Sequence, residues 1–184
     1  EVIGDVPGIA LRGISKEYPW PGSRCGWIEV FNQKQHPEFQ AYINTVISAK
    51  RLEVCSTSLP QYSIPKVIGD LRYIPHLESR KAMFQERAEE IYNAFKDVPG
   101  VSIVKPHGAF YASILFDEGI LSNSQYLPID NDDVRKYIEN KVIGLAPDKR
   151  FVYYLLGSTG VCVVPLTGFC CKKHGFRVTL LECD

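Results

Sequence analysis

Gly13-Ile14-Ser15-Lys16, followed by Gly22-Ser23-Arg24-Cys25-Gly26-Trp27, sets a lysine and an arginine eight residues apart across a turn rich in proline and glycine. A lysine amine condenses with aldehydes, and the planar fork of an arginine matches a phosphate, so one short loop holds the two functions needed for a ligand that carries both groups. Upstream, Ile9-Ala10-Leu11-Arg12 reads as a short strand delivering Ser15 and Lys16 to its C-terminal end. Pro19, Pro21 and Gly22 then enforce a turn, and Cys25 to Phe31 reads as a second apolar strand. The Lys16–Arg24 loop is therefore placed at strand ends, where α/β sheets bind ligands.

The spacing resembles that of the fold type I pyridoxal-phosphate aminotransferases of class I/II, whose motif is Ser-Lys and then Gly-x-Arg-x-Gly-Trp, with the arginine eight residues beyond the lysine. Ser15, Lys16, Gly22, Arg24, Gly26 and Trp27 all match. A second specific stretch is Gly160-Val161-Cys162-Val163-Val164-Pro165, then Gly168-Phe169, then Phe176-Arg177-Val178-Thr179. Its Cys162–Pro165 portion looks most like alanine-type and related aminotransferases, with alanine, aspartate and aromatic donors all left open. Between the two stretches the resemblance is one of pattern.

The resemblance implies pyridoxal 5'-phosphate as cofactor and a role for each matching residue. Lys16 would be the catalytic amine that holds the cofactor aldehyde and, once substrate displaces it, moves the proton. Arg24 would bind the cofactor phosphate, where the bland alternative is an ordinary ion pair. Ser15 would either hydrogen-bond near the phosphate or support the turn. Gly22 and Gly26 read as backbone requirements. Arg177 would grip the substrate α-carboxylate by a two-point contact, the alternative being a strand-edge arginine paired with an acid such as Glu182. Gly108 and Phe110 match the small-domain segment that faces the active site, although an aromatic alternating along a strand is more often core. One departure stands out: many members carry a further phosphate-binding serine two residues before the Ser-Lys pair, where this chain has Gly13.

Composition narrows the function from another side. The 184 residues are 45% hydrophobic and 23% charged, with 21 basic and 21 acidic side chains, so no net field draws nucleic acid or anionic lipid to the chain. No apolar run approaches the roughly 20 residues that span a bilayer, and the first residues lack the pattern of a signal peptide, which predicts a cytoplasmic protein. The six cysteines show neither zinc-ligand spacing nor Cys-x-x-Cys and read as reduced core or near-surface thiols, with no metal site. His36, His76, His107 and His174 each read as solvated surface histidines. Gly-x-Gly-x-x-Gly, Gly-x-Ser-x-Gly and the P-loop are absent from the sequence.

Further along, Glu38 to Ala49 carries Phe39, Tyr42, Ile43, Val46 and Ile47 at helical spacing, and prolines at 60, 65 and 75 mark a hinge near residues 60 to 75. A strong amphipathic helix then begins, with Phe84, Ala88, Ile91, Tyr92 and Phe95 as its stripe. Val101–Val104 and Ala109–Phe116 form a hairpin through Lys105-Pro106-His107-Gly108. Asp130, Asn131 and Asp132 offer an N-cap for a helix carrying Val134, Tyr137, Ile138 and Val142, and Val161–Pro165 and Phe176–Leu181 complete the strands.

The resulting expectation is an α/β chain. Residues 1–65 are the C-terminal remnant of a large cofactor-domain sheet, and residues 66–184 are an α+β small C-terminal domain with its connecting helix. Family members carry the lysine past the middle of a chain more than twice this long. The sequence therefore reads as a C-terminal fragment of an aminotransferase that moves an amino group between an amino acid and a 2-oxo acid. The full-length parent is expected to be a homodimer, and the piece alone inactive because most of the cofactor domain is absent. The rivals are a lyase or synthase on the same scaffold and a degenerate, non-catalytic binding module.

Overall fold

A computed structural model describes residues 3–18 and 20–181, and the chain divides into two compact units, Glu1–Ile74 and Pro75–Asp184. The turn reading at Pro19, the Glu182 pairing and Cys183 lie outside the described residues. The architecture is mixed α/β.

The first unit is built on an antiparallel hairpin of β1 (Gly8–Gly13) and β2 (Gly26–Phe31), in a register that sets Gly13 opposite Gly26. The loop between them carries Lys16 and Arg24, as the two apolar runs predicted. Helix α1 (Pro37–Arg51) starts at a proline, whose missing N–H is one of the donors a first turn leaves unused, and it buries Ile43.

The stretch near residues 60 to 75 is helical, formed by α2 (Ser58–Ile68) and the start of α3 (Tyr73–Phe95), and the boundary between the two units, Ile74 to Pro75, falls at its end. Pro60 and Pro75 are each the third residue of their helix, where no intrahelical N–H bond is lost. Only Pro65 lies in a helix interior. Between the helices the Arg72 side chain pairs with Asp70 at 2.8 Å and by its hydrogen bonds holds that carboxyl well below the usual carboxylate range.

In the second unit a four-stranded antiparallel sheet runs in the order β3 (Val101–Ile103), β4 (Tyr111–Phe116), β6 (Gly175–Thr179), β5 (Val164–Pro165). The predicted β3–β4 hairpin is present. The last two strands are shorter than the sequence suggested. Val161–Val163 precedes β5 without pairing into the sheet, and β6 ends at Thr179, after which the Leu180 N–H bonds to the Phe110 carbonyl.

Alternation along β4 and β6 turns Ile114 and Phe176 to one face, where they meet Val152 and Val163 in a buried cluster. The α3 stripe behaves as predicted: Ala88 is buried against Phe110, Ala112 and Leu180, while Ile91 and Phe95 pack on the Ile114–Phe176 cluster. Phe110 therefore takes the core role.

Helix α4 (Asp132–Lys141) is capped by Asn131, whose side chain accepts the N–H groups of Asp133 and Val134 at 3.0 Å. Helix α5 (Pro147–Thr159) had no periodic signature, because Phe151 to Leu156 is apolar without interruption. Ile138 and Val142 close a third cluster against Tyr154 of α5, and Gly160 ends that helix in the left-handed region at φ 77°.

Candidate active site

The Lys16–Arg24 loop is drawn together by its own backbone. The Trp20 N–H bonds to the Ile14 carbonyl at 3.1 Å, and the Ile14 N–H to Cys25 O at 3.4 Å, which ties the two ends of the loop to each other. Ile14 is almost fully buried and anchors the loop, while Ser15 is half-buried and Lys16 exposed. The hydroxyl that supports the turn is Ser23, buried and donating to Trp20 O at 2.7 Å. Ser15 makes no side-chain hydrogen bond among the described residues. Sequence reasoning missed Ser23, since hydroxyls are ordinary turn residues and only its burial sets it apart.

Arg24 sits in the left-handed region at φ 50°, and one of its guanidinium nitrogens donates to Pro21 O at 3.1 Å. It is exposed, and among the described residues no carboxylate pairs with it. Gly26 meets the expected backbone requirement, because a Cβ there would lie 2.7 Å from Arg12 O across the hairpin. At Gly22 a Cβ would meet no protein atom within 4 Å, so the turn itself does not require glycine there. Gly13 is also open, its nearest neighbour being Cys25 O at 3.8 Å.

An aromatic contact outside the motif braces the same loop. Tyr73, the first residue of α3, stacks on Tyr18 with ring centroids 5.3 Å apart, and its hydroxyl donates to the Glu17 carboxylate at 2.7 Å. Partial burial, reinforced by these hydroxyl bonds, pushes the phenol well above the usual tyrosine range.

In the second unit Arg177 lies on the central strand β6, directly opposite Ser113 on β4 and Val164 on β5. Strand alternation turns it to the face opposite Phe176 and Ile114. Its guanidinium carbon is 4.3 Å from the Tyr111 ring centroid and 4.1 Å from that of Phe169. No carboxylate among the described residues pairs with it.

Nearby, the fully buried Asp148 at the start of α5 accepts the Thr167 N–H at 2.9 Å and the Thr167 hydroxyl at 2.7 Å. These bonds fix the short 3-10 turn Leu166–Phe169 that presents Phe169. His174, read from the sequence as a solvated histidine, has its Nδ1 buried 3.6 Å from an Asp148 oxygen, while His76 and His107 are exposed as expected. His36 is half-buried ahead of α1.

The cysteines at 25, 55, 162, 170 and 171 are free thiols, and among the described residues no group of histidine, cysteine and acidic side chains forms a metal site. No helix among them is long and apolar enough to cross a membrane.

Residues 1–183 match the family model for aminotransferase class I and II. The chain belongs to this family. Over all 184 residues it is 49% identical to an uncharacterized aminotransferase of Methanocaldococcus jannaschii, covering 43% of that protein. It is 27% identical over 169 residues to the inactive alanine aminotransferase of Saccharomyces cerevisiae, a match covering 87% of this chain and 30% of the yeast protein. Among solved structures, the alanine aminotransferase of Pyrococcus furiosus superposes with a TM-score of 0.68 at 25% identity, covering 98% of this chain and 39% of that one. The chain thus spans less than half the length of these relatives.

Proposed function

We propose that the protein carrying this chain is a pyridoxal-phosphate-dependent aminotransferase that moves an amino group between an amino acid and a 2-oxo acid. The observation that carries this reading is the state of two arginines. Arg12, Arg72 and Arg135 pair with carboxylates at 3.2, 2.8 and 2.7 Å, whereas Arg51, Arg80 and Arg150 have none among the described residues, so the lack of an acid carries weight only where it coincides with a motif position. Arg24 and Arg177, the two that the family motif assigns to anions, have no acidic partner among the described residues. A guanidinium held in place without an acid suits a phosphate or a carboxylate arriving from outside.

The lysine loop fits the cofactor on its own geometry. Lys16 is exposed on a turn closed by the Trp20–Ile14 and Ile14–Cys25 bonds. Arg24 keeps most of its donors beyond the single bond to Pro21 O, and the bare backbone at Gly13 and Gly22 leaves room around them. Bound pyridoxal phosphate supplies the aldehyde that exchanges amino groups and a ring that spreads the charge left on the substrate carbon. With the cofactor bound, Arg24 would hold its phosphate with Ser15 beside it, Lys16 would hold the aldehyde end and serve as acid and base at the substrate Cα, and Arg177 would hold the α-carboxylate.

Residues 1–65 then belong to the large cofactor domain and 66–184 to the small domain of a cytoplasmic homodimer. The alanine aminotransferases among the relatives favour an alanine-type donor. The 184 residues alone are expected to show no turnover, because the remaining walls of a preorganised site come from outside them.

Borohydride reduction of the intact protein with pyridoxal phosphate, followed by peptide mapping, tests the assignment. Label at Lys16 alone, lost on Arg24→Ala, is the expected result. Label scattered over surface lysines, together with no transfer from L-alanine, L-glutamate or L-aspartate to a 2-oxo acid, would overturn it.

A further inference from the structure

We propose that Tyr111 and Phe169 are positioning residues that clamp the Arg177 guanidinium between two aromatic rings, so that it meets a substrate carboxylate edge-on; this rests on the reading of Arg177 given above. Both centroids lie well inside the roughly 6 Å over which a cation is attracted to a ring, and the two rings come from different elements, β4 and the 3-10 turn after β5. Tyr111 is two residues from the Ser113–Arg177 pair along β4 and therefore shares its face, within reach as a diagonal neighbour. Phe169 is delivered by the turn that buried Asp148 fixes through Thr167. Neither ring uses up an N–H donor. An arginine steadied by a carboxylate would have its fork occupied, whereas one steadied by rings keeps its donors for the ligand while losing rotamer freedom before the ligand arrives.

The test uses the intact protein with the best donor among L-alanine, L-glutamate and L-aspartate, and with propionate as a competing carboxylate that has no amino group. Phe169→Ala and Tyr111→Leu are each expected to raise the donor KM and the propionate Ki by about 3- to 10-fold, with kcat within about twofold, the signature of lost ground-state binding. Phe169→Leu keeps an apolar side chain without a ring and should show the same rise at an unchanged Tm. Tyr111→Phe and Phe169→Trp keep a ring and should stay near the parent values. If Arg177→Lys raises KM and Ki but none of the ring-removing variants does, the clamp is overturned. If Arg177→Lys leaves both constants unchanged, the carboxylate role of Arg177 falls first, and the clamp with it.

Discussion

Single side chains around the lysine loop make the sharpest claims. Gly13 stands where the resemblance would place a phosphate-binding serine, and the hairpin leaves a Cβ there in ordinary contact, 3.8 Å from Cys25 O. Gly13→Ser is therefore expected to fold with stability changed by no more than about 0.5 kcal/mol. It should tighten pyridoxal-phosphate binding in the intact protein, read by titrating cofactor absorbance, and weaker binding would show that the serine position is not a phosphate ligand in this chain.

Tyr73 makes a pH claim. Its folded pKa lies above the unfolded value of about 10, so its contribution to stability is complete below that pH and declines as the pH rises beyond it and the unfolded chain's phenol ionises. Denaturant midpoints measured across the alkaline range should fall more steeply for the parent than for Tyr73→Phe. Equal slopes would mean that burial of the Tyr73 hydroxyl and its bond to Glu17 do not raise the phenol's pKa in the fold. That Lys16 and Arg24 share one loop between two strands, and that Arg177 lies on a strand, was legible in the sequence because apolar runs flank each of them. Tyr73 and Ser23 were not, since their partners Glu17, Tyr18 and Trp20 are set by how the loop closes and no local signal announces a closure.

At the scale of elements, the two glycines of the motif separate. A Cβ on Gly26 would press on the Arg12 carbonyl at 2.7 Å, an immovable backbone atom in a paired strand, whereas one on Gly22 meets open space. Gly26→Ala should destabilise the β1–β2 hairpin by about 1–3 kcal/mol, and Gly22→Ala by less than about 0.5 kcal/mol. Thermal unfolding of both variants checks the contrast, and equal shifts would refute it. The elements that sequence reasoning found, β1, β2, α1, α3, β3, β4 and α4, each carry one clean period of apolar residues or an Asx cap. Those it misread or passed over fail for identifiable reasons. In α2 the prolines at 60 and 65 look like breakers, and only the helix's own starting point at Ser58 makes the first of them harmless. In α5 the unbroken run Phe151–Leu156 has no period, because that helix is flanked by apolar partners on two sides, the Ile114–Phe176 cluster and the Ile138–Val142 cluster.

Across the whole molecule, apolar burial is unevenly shared. Among the described residues, Ile14 and Ile43 are the buried aliphatic side chains of the first unit, while the second holds three clusters built on Ala88–Leu180, Ile114–Phe176 and Ile138–Tyr154. Leu52, Val54 and Leu71 in the first unit remain more than four-fifths exposed. Burial contributes about 25 cal/mol per Å² of apolar surface, so local opening of the first unit has far less to overcome than opening of the second. Hydrogen exchange on the 184-residue chain should accordingly show the amides of β4 and β6 protected at least about tenfold more than those of β1 and β2. The same imbalance explains why the chain spans the family motif yet is expected not to turn over alone: the lysine loop hangs on the unit with the smaller core, and a site preorganised to within fractions of an ångström needs rigid support. Equal protection in both hairpins would mean that the first unit is rigid without further cover. The lysine loop should then label with pyridoxal phosphate in the 184-residue chain as readily as in the intact protein.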